Sequence, residues 1–390
     1  MFDHQDPLTG ALPECGPPLL KRGSDTYHLW TLIGTARYLL YSDDVAWLRS
    51  VWPHYRQAIA YSLAHVDASG LLNVTGPRDW GRLGQGGDNI EANVLLYEAL
   101  RSGSTLATTM NDPSTARSYA AAAAALRASI DRILWDGAAG AYRDSPQTLL
   151  YPQDGNALAI WYGVTDDPGR NRSILRLLAS RWNRFGAVSA ELPGTIAPFA
   201  GSMEIMARFA AHDDLGALEL IRREWGYMLD DPDGTHSTFL EGYLADGSLG
   251  YRGAYGYLND PSYVSHAHGW STGPTSALTF DVLGLQPLAA AGRSWLLAPH
   301  PGDLASAEGA FTTPLGIYQA SWRADRHGHI SHVQVVTPSG TTGRFVAPGG
   351  TASGRISLDG RIVTDVDPEL GFPLPGGRHV VTILPARLSP

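Results

Sequence analysis

The sequence predicts a mainly α-helical domain, residues 1–290, followed by a small C-terminal antiparallel β-sandwich, residues 291–390, and three observations carry that expectation. Apolar residues recur at helical spacing from residue 24 to about 285, with loops rich in Gly, Pro and Asp between the runs. From about Arg293 the texture changes to short alternating runs bounded by turn residues, the period of half-buried strands. The composition, 44% apolar and 17% charged over 390 residues, suits one large core with a smaller companion and contains no disordered tract.

Taken in order, the helical segments are Asp25 to Tyr41, Val45 to Val66, Asn89 to Thr108, Pro113 to Leu134, Asp154 to Tyr162, Asn171 to Trp182, Ile196 to Ala211, Leu215 to Leu229 and Pro274 to Leu283. Their starts carry capping chemistry: Ser24-Asp25 precedes the first, and Asp112-Pro113 opens the fourth with proline in the first turn. The alanines from Ala120 to Leu126 are helix filler whose small side chains suit close packing. The strands follow in "SHVQVVTP", "GRFVAP", "GRISLDG", "RIVTDV" and "HVVTILP", and "SWRADRHGHI" is expected to hold a hairpin turn at its Asp-Arg-His-Gly centre.

A net charge of -9 leaves no basic stripe to displace phosphate counterions, so a nucleic-acid partner is not expected. The single cysteine, Cys15, excludes an internal disulfide framework and by itself makes no metal site. The start, "MFDHQDPLTGALPE", has no signal-peptide pattern and no apolar run is long enough to span a membrane, so a cytoplasmic location without a membrane partner is expected. The sequons at Asn73 and Asn171 are short enough to arise by chance.

The chemistry concentrates in loops. In "STFLEGYLADGS" a lone carboxylate, Glu241, stands between Phe239-Leu240 and Gly242-Tyr243, a setting that desolvates an acid and prepares it for acid or base work; the other reading is a buried glutamate paired with an arginine. "VTGPRDWGRLGQGGDN" combines Asp79, Trp80, Arg82, Gln85 and Asp88 with five glycines, and an indole beside a carboxylate can stack on a sugar ring and bond its hydroxyls. Its spacing matches neither a P-loop nor a dinucleotide fingerprint. "GYRGAYGYLNDPSYVSHAHGWSTGP" offers Tyr251, Tyr255, Tyr257, Tyr263, His266, His268 and Trp270. Two histidines without a third ligand favour hydrogen bonding or packing over metal, and neither a metal nor a cofactor is expected.

"SDTYHLWTLIGTARYLLY", "GLLNVTGPRDWGRLGQGGDNIEANVLLYEAL", "YPQDGNALAIWYGV", "GTHSTFLEGYLADGS" and "DPSYVSHAHGWSTGPTSALTFDVLGLQP" together resemble the six-hairpin catalytic domain of α-L-rhamnosidases, especially the fungal branch. The resemblance, from about Phe2 to Trp322, implies an (α/α)6 toroid followed by a β-sandwich, and an inverting glycosidase with no metal in its mechanism. It implies that Glu241 is the general base, that Asp79 and Trp80 match the sugar-binding Asp-Trp pair and that His268 contacts the rhamnose. Substrate contacts are further expected from Asp25, Arg82, Tyr243, Tyr263, His266 and Trp270. In the resembling enzymes the general acid comes from a stretch ahead of the matched region. Hydrolysis is therefore expected to be impaired, or to recruit Asp25 or Asp79 as acid. By the same token the ring is expected to be incomplete, its apolar edge covered by residues 1–23 or by a second copy of the chain in a homo-oligomer. Two other classes stay open: a cyclase or isomerase of secondary metabolism that reuses the aromatic pocket, and a non-catalytic protein that binds a small molecule or carbohydrate.

Overall fold

The computed structural model describes residues 1–254, 256–325, 329–348, 355–364, 366–367 and 370–384. Nine α-helices form among them: α1 Asp25–Ser42, α2 Val45–Ala64, α3 Ile90–Thr109, α4 Pro113–Leu134, α5 Gln153–Trp161, α6 Pro168–Ala179, α7 Pro198–Ala210, α8 Asp214–Asp230 and α9 Gly273–Ala277. The mainly α-helical domain expected from the sequence is present. Helix α6 opens ahead of the expected Asn171, because Asp167 caps it by accepting from the Arg170 amide and Pro168 fills its first position. The helix expected from Pro274 to Leu283 instead becomes α9 and a π-helical turn, Leu278–Val282.

The first eight helices run as hairpins. Their short connections, residues 43–44, 110–112, 162–167 and 211–213, each contain a left-handed residue: Asp43, Asn111, Gly163 and His212, with φ of 56°, 57°, 71° and 58°. Such a residue ends one helix and turns the chain into the next. The long connections are residues 65–89, 135–152, 180–197 and 231–272. Because each hairpin brings the chain back to the end it left, the long connections share one end of the helical layers. Helices α3, α5 and α7 are buried on most of their faces, whereas α2, α4 and α6 each bury a single stripe, giving an inner and an outer layer.

Small ladders brace the long connections. β1 Trp135–Asp136 pairs with β2 Ala141–Tyr142, β3 Trp182–Asn183 with β4 Gly186–Ala187, and β5 Thr195–Ile196 with β6 Tyr243–Leu244. The last of these ties the third long connection to the fourth. Residues 1–23 lie against α1 and α2: Phe2 and Leu12 are buried, Gln57 Nε2 donates to the Pro7 carbonyl at 3.2 Å, and the Leu12 amide donates to His28 Nδ1 at 3.0 Å.

The chain forms two compact units, one of residues 1–36, 45–211 and 219–273, the other of residues 37–44, 212–218 and 274–390. The second unit is built on β7 Leu285–Pro287, β8 Ser294–Leu297, β9 Ser306–Thr313, β10 Gly316–Ala324, β11 Ile330–Val336, β12 Thr342–Phe345, β13 Arg355–Leu358, β14 Arg361–Ile362, β15 Phe372–Pro375 and β16 Arg378–Leu384. A six-stranded sheet has the order β14-β13-β16-β11-β10-β9, and a four-stranded sheet has the order β15-β12-β8-β7. Pairing is antiparallel except between β8 and β12, which run parallel. Tyr318, Trp322, Val333, Val335, Ile356 and Val381 of the larger sheet, and Trp295, Leu297, Phe345, Phe372 and Leu374 of the smaller, are buried. Residues 326–328, on which most of the expected hairpin turn falls, lie outside the described residues, as does Tyr255.

Candidate active site

The fourth long connection folds back on itself to make the wall that carries Glu241. The Glu241 amide donates to the Ser265 carbonyl at 2.8 Å, the His268 amide to Phe239 O at 2.9 Å, the Trp270 indole to Glu241 O at 3.0 Å and the Ser271 hydroxyl to Leu240 O at 2.6 Å. These bonds stitch residues 239–241 to residues 265–271. Gly242 follows the acid because a Cβ there would stand 2.5 Å from the Tyr251 ring. Tyr251 is fully buried, and its hydroxyl reaches across to the first long connection, donating to Trp80 O at 2.9 Å.

The Glu241 side chain is 3% exposed. Tyr257 donates to Oε1 at 3.4 Å, Arg252 Nη1 lies 3.7 Å from the same oxygen, the Ser265 amide donates to Oε2 at 3.4 Å and His268 Nδ1 lies 4.0 Å from it. A charge-assisted bond to a carboxylate is normally about 2.7–2.9 Å. The acid is thus sealed from bulk water and oriented, with much of its hydrogen-bonding capacity left unfilled. Burial holds the His268 imidazole below its ordinary value despite the neighbouring Glu241 charge, so it is neutral at neutral pH. Its ring packs on Trp270 with centroids 4.2 Å apart, and Trp270 in turn packs on Phe199 at 5.3 Å and Phe199 on Trp30 at 6.0 Å.

The other wall comes from residues 79–91. Asp79 is half-buried; its Oδ1 accepts from the Trp80 amide at 2.8 Å and its Oδ2 from Gln85 Nε2 at 2.6 Å. Trp80 has no exposed surface, its indole N–H donates to Asp154 Oδ2 at 3.1 Å, and its ring sits among Leu192, Ala197, Ala200, Tyr251 and Val264. The Trp80 ring is thus enclosed here, and the half-buried Trp270, Phe199 and Tyr257 stand against its cluster. Arg82 is likewise enclosed, with Nη1 3.4 Å from Glu91 and 3.2 Å from Asp154, and Nη2 bonded to Asp144. Burial opposes its charge, but Asp154, Asp144, Glu91 and Glu191 together raise its affinity for the proton.

Several other expected contacts also move into the framework. Asp25 accepts from the Thr75 and Gly76 amides at 2.8 and 2.9 Å and from the Tyr61 hydroxyl at 3.2 Å, which pins the first long connection to the start of α1. Tyr243 is fully buried and donates to Phe185 O at 2.7 Å. His266 is half-buried, and its carbonyl accepts from the Thr238 hydroxyl. Tyr263 is 62% exposed and stacks on Tyr257 at 5.9 Å, the outer ring of the Glu241 wall. Glu241, His268 and Trp270 are therefore in direct contact, and Tyr251, whose hydroxyl feels the charges of both Glu241 and Asp79, joins them to Asp79 and Trp80.

Sequence reasoning missed Arg252, which lies over the Tyr257 ring at 5.1 Å and has a left-handed φ of 52°, and it missed Glu91 and Asp154. Gly81 was the one available signal for Arg252, since that side chain occupies the space a Cβ would need. A cavity of about 510 Å3 lined by Arg56, Gln57, Leu63, Tyr119 and others of α2 and α4 holds none of these residues. Among the described residues, no three His, Cys, Asp or Glu side chains are grouped to hold a metal, and no helix is long and apolar enough to cross a membrane.

Residues 1–244 match the family model described as the bacterial alpha-L-rhamnosidase 6 hairpin glycosidase domain, and residues 284–358 match the bacterial alpha-L-rhamnosidase C-terminal domain. Among solved structures, the α-L-rhamnosidase from Dictyoglumus thermophilum is similar at a TM-score of 0.75 and 15% identity over 98% of this chain and 42% of that one. The Streptomyces avermitilis α-L-rhamnosidase complexed with L-rhamnose gives 0.72 and 18% over 97% and 35%. The GH78 family rhamnosidase of Bacillus sp. GL1 gives 0.63 and 26% over 77% and 31%. The chain thus spans less than half the length of each of these proteins. No curated protein sequence matches it.

Proposed function

The chain belongs to the bacterial α-L-rhamnosidase six-hairpin glycosidase family, and from that premise we propose that it acts on α-L-rhamnosides by inverting hydrolysis, with Glu241 as the general base. The observation that supports this reading is the state of Glu241: a carboxylate 3% exposed, aimed by four polar neighbours at 3.4 to 4.0 Å, none of which binds it tightly. Such a group can take a proton from a bound water while its neighbours hold its direction. His268 is neutral and can accept or donate to a sugar hydroxyl, and Trp270 offers the half-buried indole beside it. Tyr263, stacked outside Tyr257, meets the leaving group.

In an inverting reaction a second carboxyl group protonates the leaving oxygen across roughly 6.5–9.5 Å. Asp79 takes that role in this reading, as the half-buried acid that shares Tyr251 with Glu241. Its two oxygens already accept from Trp80 and Gln85, so donation to the leaving oxygen needs a proton on an oxygen that an N–H already holds, and turnover is weak. Glu241→Gln keeps the size of the side chain and removes the base. Turnover of an aryl α-L-rhamnoside is expected to fall by about 100-fold or more while rhamnose binding, measured by calorimetry, persists. Equal turnover in the variant overturns the assignment.

A further inference from the structure

One side chain spans the two walls of the site, and the reaction above leaves it without a task. Arg252 follows Tyr251 in the fourth long connection, with a left-handed φ of 52° that costs energy at any residue carrying a Cβ. Its stem runs over Gly81 of the first long connection, where an added Cβ would stand 3.1 Å from Nε, 3.2 Å from Cγ and 3.4 Å from Cδ. Nε is sealed from solvent and has no hydrogen-bond partner. At the far end Nη1 lies 3.7 Å from Glu241 Oε1. Arg252 therefore packs beside the Asp79-Trp80 turn with its stem and meets the proposed base with its charge.

Tyr257 sets the direction of the guanidinium. Arg252 Cζ stands 5.1 Å from the centre of the Tyr257 ring, the Tyr257 amide donates to Arg252 O at 3.3 Å, and the Tyr257 hydroxyl donates to the same Glu241 oxygen at 3.4 Å. A planar cation is thus laid on an aromatic face whose own hydroxyl marks the target. The buried Tyr251 ring backs Tyr257 at 6.4 Å. Among the described residues, Arg252 and His268 are the basic side chains within 4.0 Å of Glu241, and burial keeps His268 neutral. A guanidinium that closes a salt bridge normally comes to about 2.7–2.9 Å. At 3.7 Å it attracts the carboxylate without occupying its lone pairs. Glu241 is 3% exposed and Arg252 25%, so water screens the attraction less than on an open surface.

We propose, on the reading that Glu241 is the base, that Arg252 is its positioning residue: a strut from Gly81 across Tyr257 that holds the Glu241 carboxylate in one place and at one angle. The length of the contact matters to this role. A tight bridge would fill the oxygen that has to receive the water's proton, whereas a loose one aims the carboxylate and leaves it open. Arginine suits the task better than lysine, because a planar group can lie on the ring while a compact ammonium cannot.

The test uses the full chain in wild-type, Arg252→Ala, Arg252→Lys, Glu241→Gln and double-variant forms, with circular dichroism confirming that each is folded. On an aryl α-L-rhamnoside, Arg252→Ala is expected to lower kcat by about 10- to 100-fold with KM little changed, and Arg252→Lys to recover part of that loss. In the Glu241→Gln background the same Arg252→Ala change is expected to cost less than about 2-fold, because no base is left to aim. A kcat of folded Arg252→Ala within about 2-fold of wild type overturns the proposal, and so does an equal loss in both backgrounds. Where Arg252→Ala does not fold, Arg252→Lys runs through the same cycle. Nitrogen-15 NMR reads the contact without turnover: the Arg252 Nε–H signal, identified by its absence in Arg252→Lys, is expected to shift in Glu241→Gln. A signal that stays in place overturns the proposal, whatever the activity. A shifted signal in a chain whose wild type has no turnover overturns the hydrolase reading and leaves Arg252 holding Glu241.

Discussion

Glu241 and Gly242 show how one position serves chemistry and its neighbour serves space. Gly242 does not need glycine for its φ; it needs it because the Tyr251 ring fills the volume a side chain would take, at 2.5 Å from an added Cβ. Tyr251 has little freedom to move, since it is buried and bonded through its hydroxyl to Trp80 O. Gly242→Ala is therefore expected to destabilise the chain by about 1–3 kcal/mol, read by denaturant unfolding, and to reduce rhamnoside turnover, because the displaced ring links the two walls. Unfolding at the wild-type denaturant midpoint shows instead that the loop yields without strain. At the same scale, Glu241 was legible because an acid between Phe-Leu and Gly-Tyr is unusual, whereas Glu91 reads as an ordinary first-turn acid. Trp80 shows the converse: an indole beside Asp and Gly has the composition of a sugar platform, and only the fold shows that Asp154 and the apolar cluster enclose it.

Among the elements, one imidazole joins α1, α2 and the N-terminal segment. His28 Nδ1 accepts from the Leu12 amide at 3.0 Å and Nε2–H donates to Ala58 O at 3.0 Å, so the ring is needed neutral. Burial pulls its value down from 6.5 to about 4. A depressed folded value means stability that is present above pH 6.5 and is lost as pH falls through about 4, on the order of 3 kcal/mol for the histidine alone. His28→Gln is expected to melt lower than wild type at neutral pH and to show a shallower loss of Tm on acidification; parallel curves would remove the histidine from the account. The helices themselves were legible from caps such as Asp112-Pro113, which sets α4 where the sequence puts it. The loop that carries Arg252 was not, because Arg252 and Leu258 adopt left-handed φ of 52° and 54° that no local preference favours. Long-range packing fixes that loop, and a single sequence does not display it.

For the molecule as a whole, His28 of the first unit and Asp281 of the second answer to pH with opposite signs. In the second unit Asp281 is buried on the π-helical turn with Oδ2 lacking a partner, and burial pushes its carboxyl up to about 7 from 3.8. Burial opposes the charge of His300, but its bond to Asp214 at 2.8 Å and the Asp214 and Asp281 charges together raise its value too. Raised folded values mean stability that is full at low pH and is lost as pH rises, for Asp281 between about 4 and about 7. Asp281→Asn is expected to melt above wild type at about pH 7.5 and level with it at about pH 4, a crossing that calorimetry would resolve. A uniform offset at both values would assign the effect to packing.

The hairpin topology has a consequence for how such a chain can change. The tight turns at residues 43–44, 110–112, 162–167 and 211–213 sit at one end, and the connections that hold Asp79, Glu91's partners and Glu241 sit at the other. Substitutions of the exposed residues of these connections, such as Arg78 or Tyr263, leave the turn geometry and the buried framework untouched, so the scaffold is inherited intact while specificity drifts. The same separation gives the experimenter a neutral site: a fluorophore, tag or insertion placed in the exposed turn at residues 110–112 is carried by the helices without entering the chemistry.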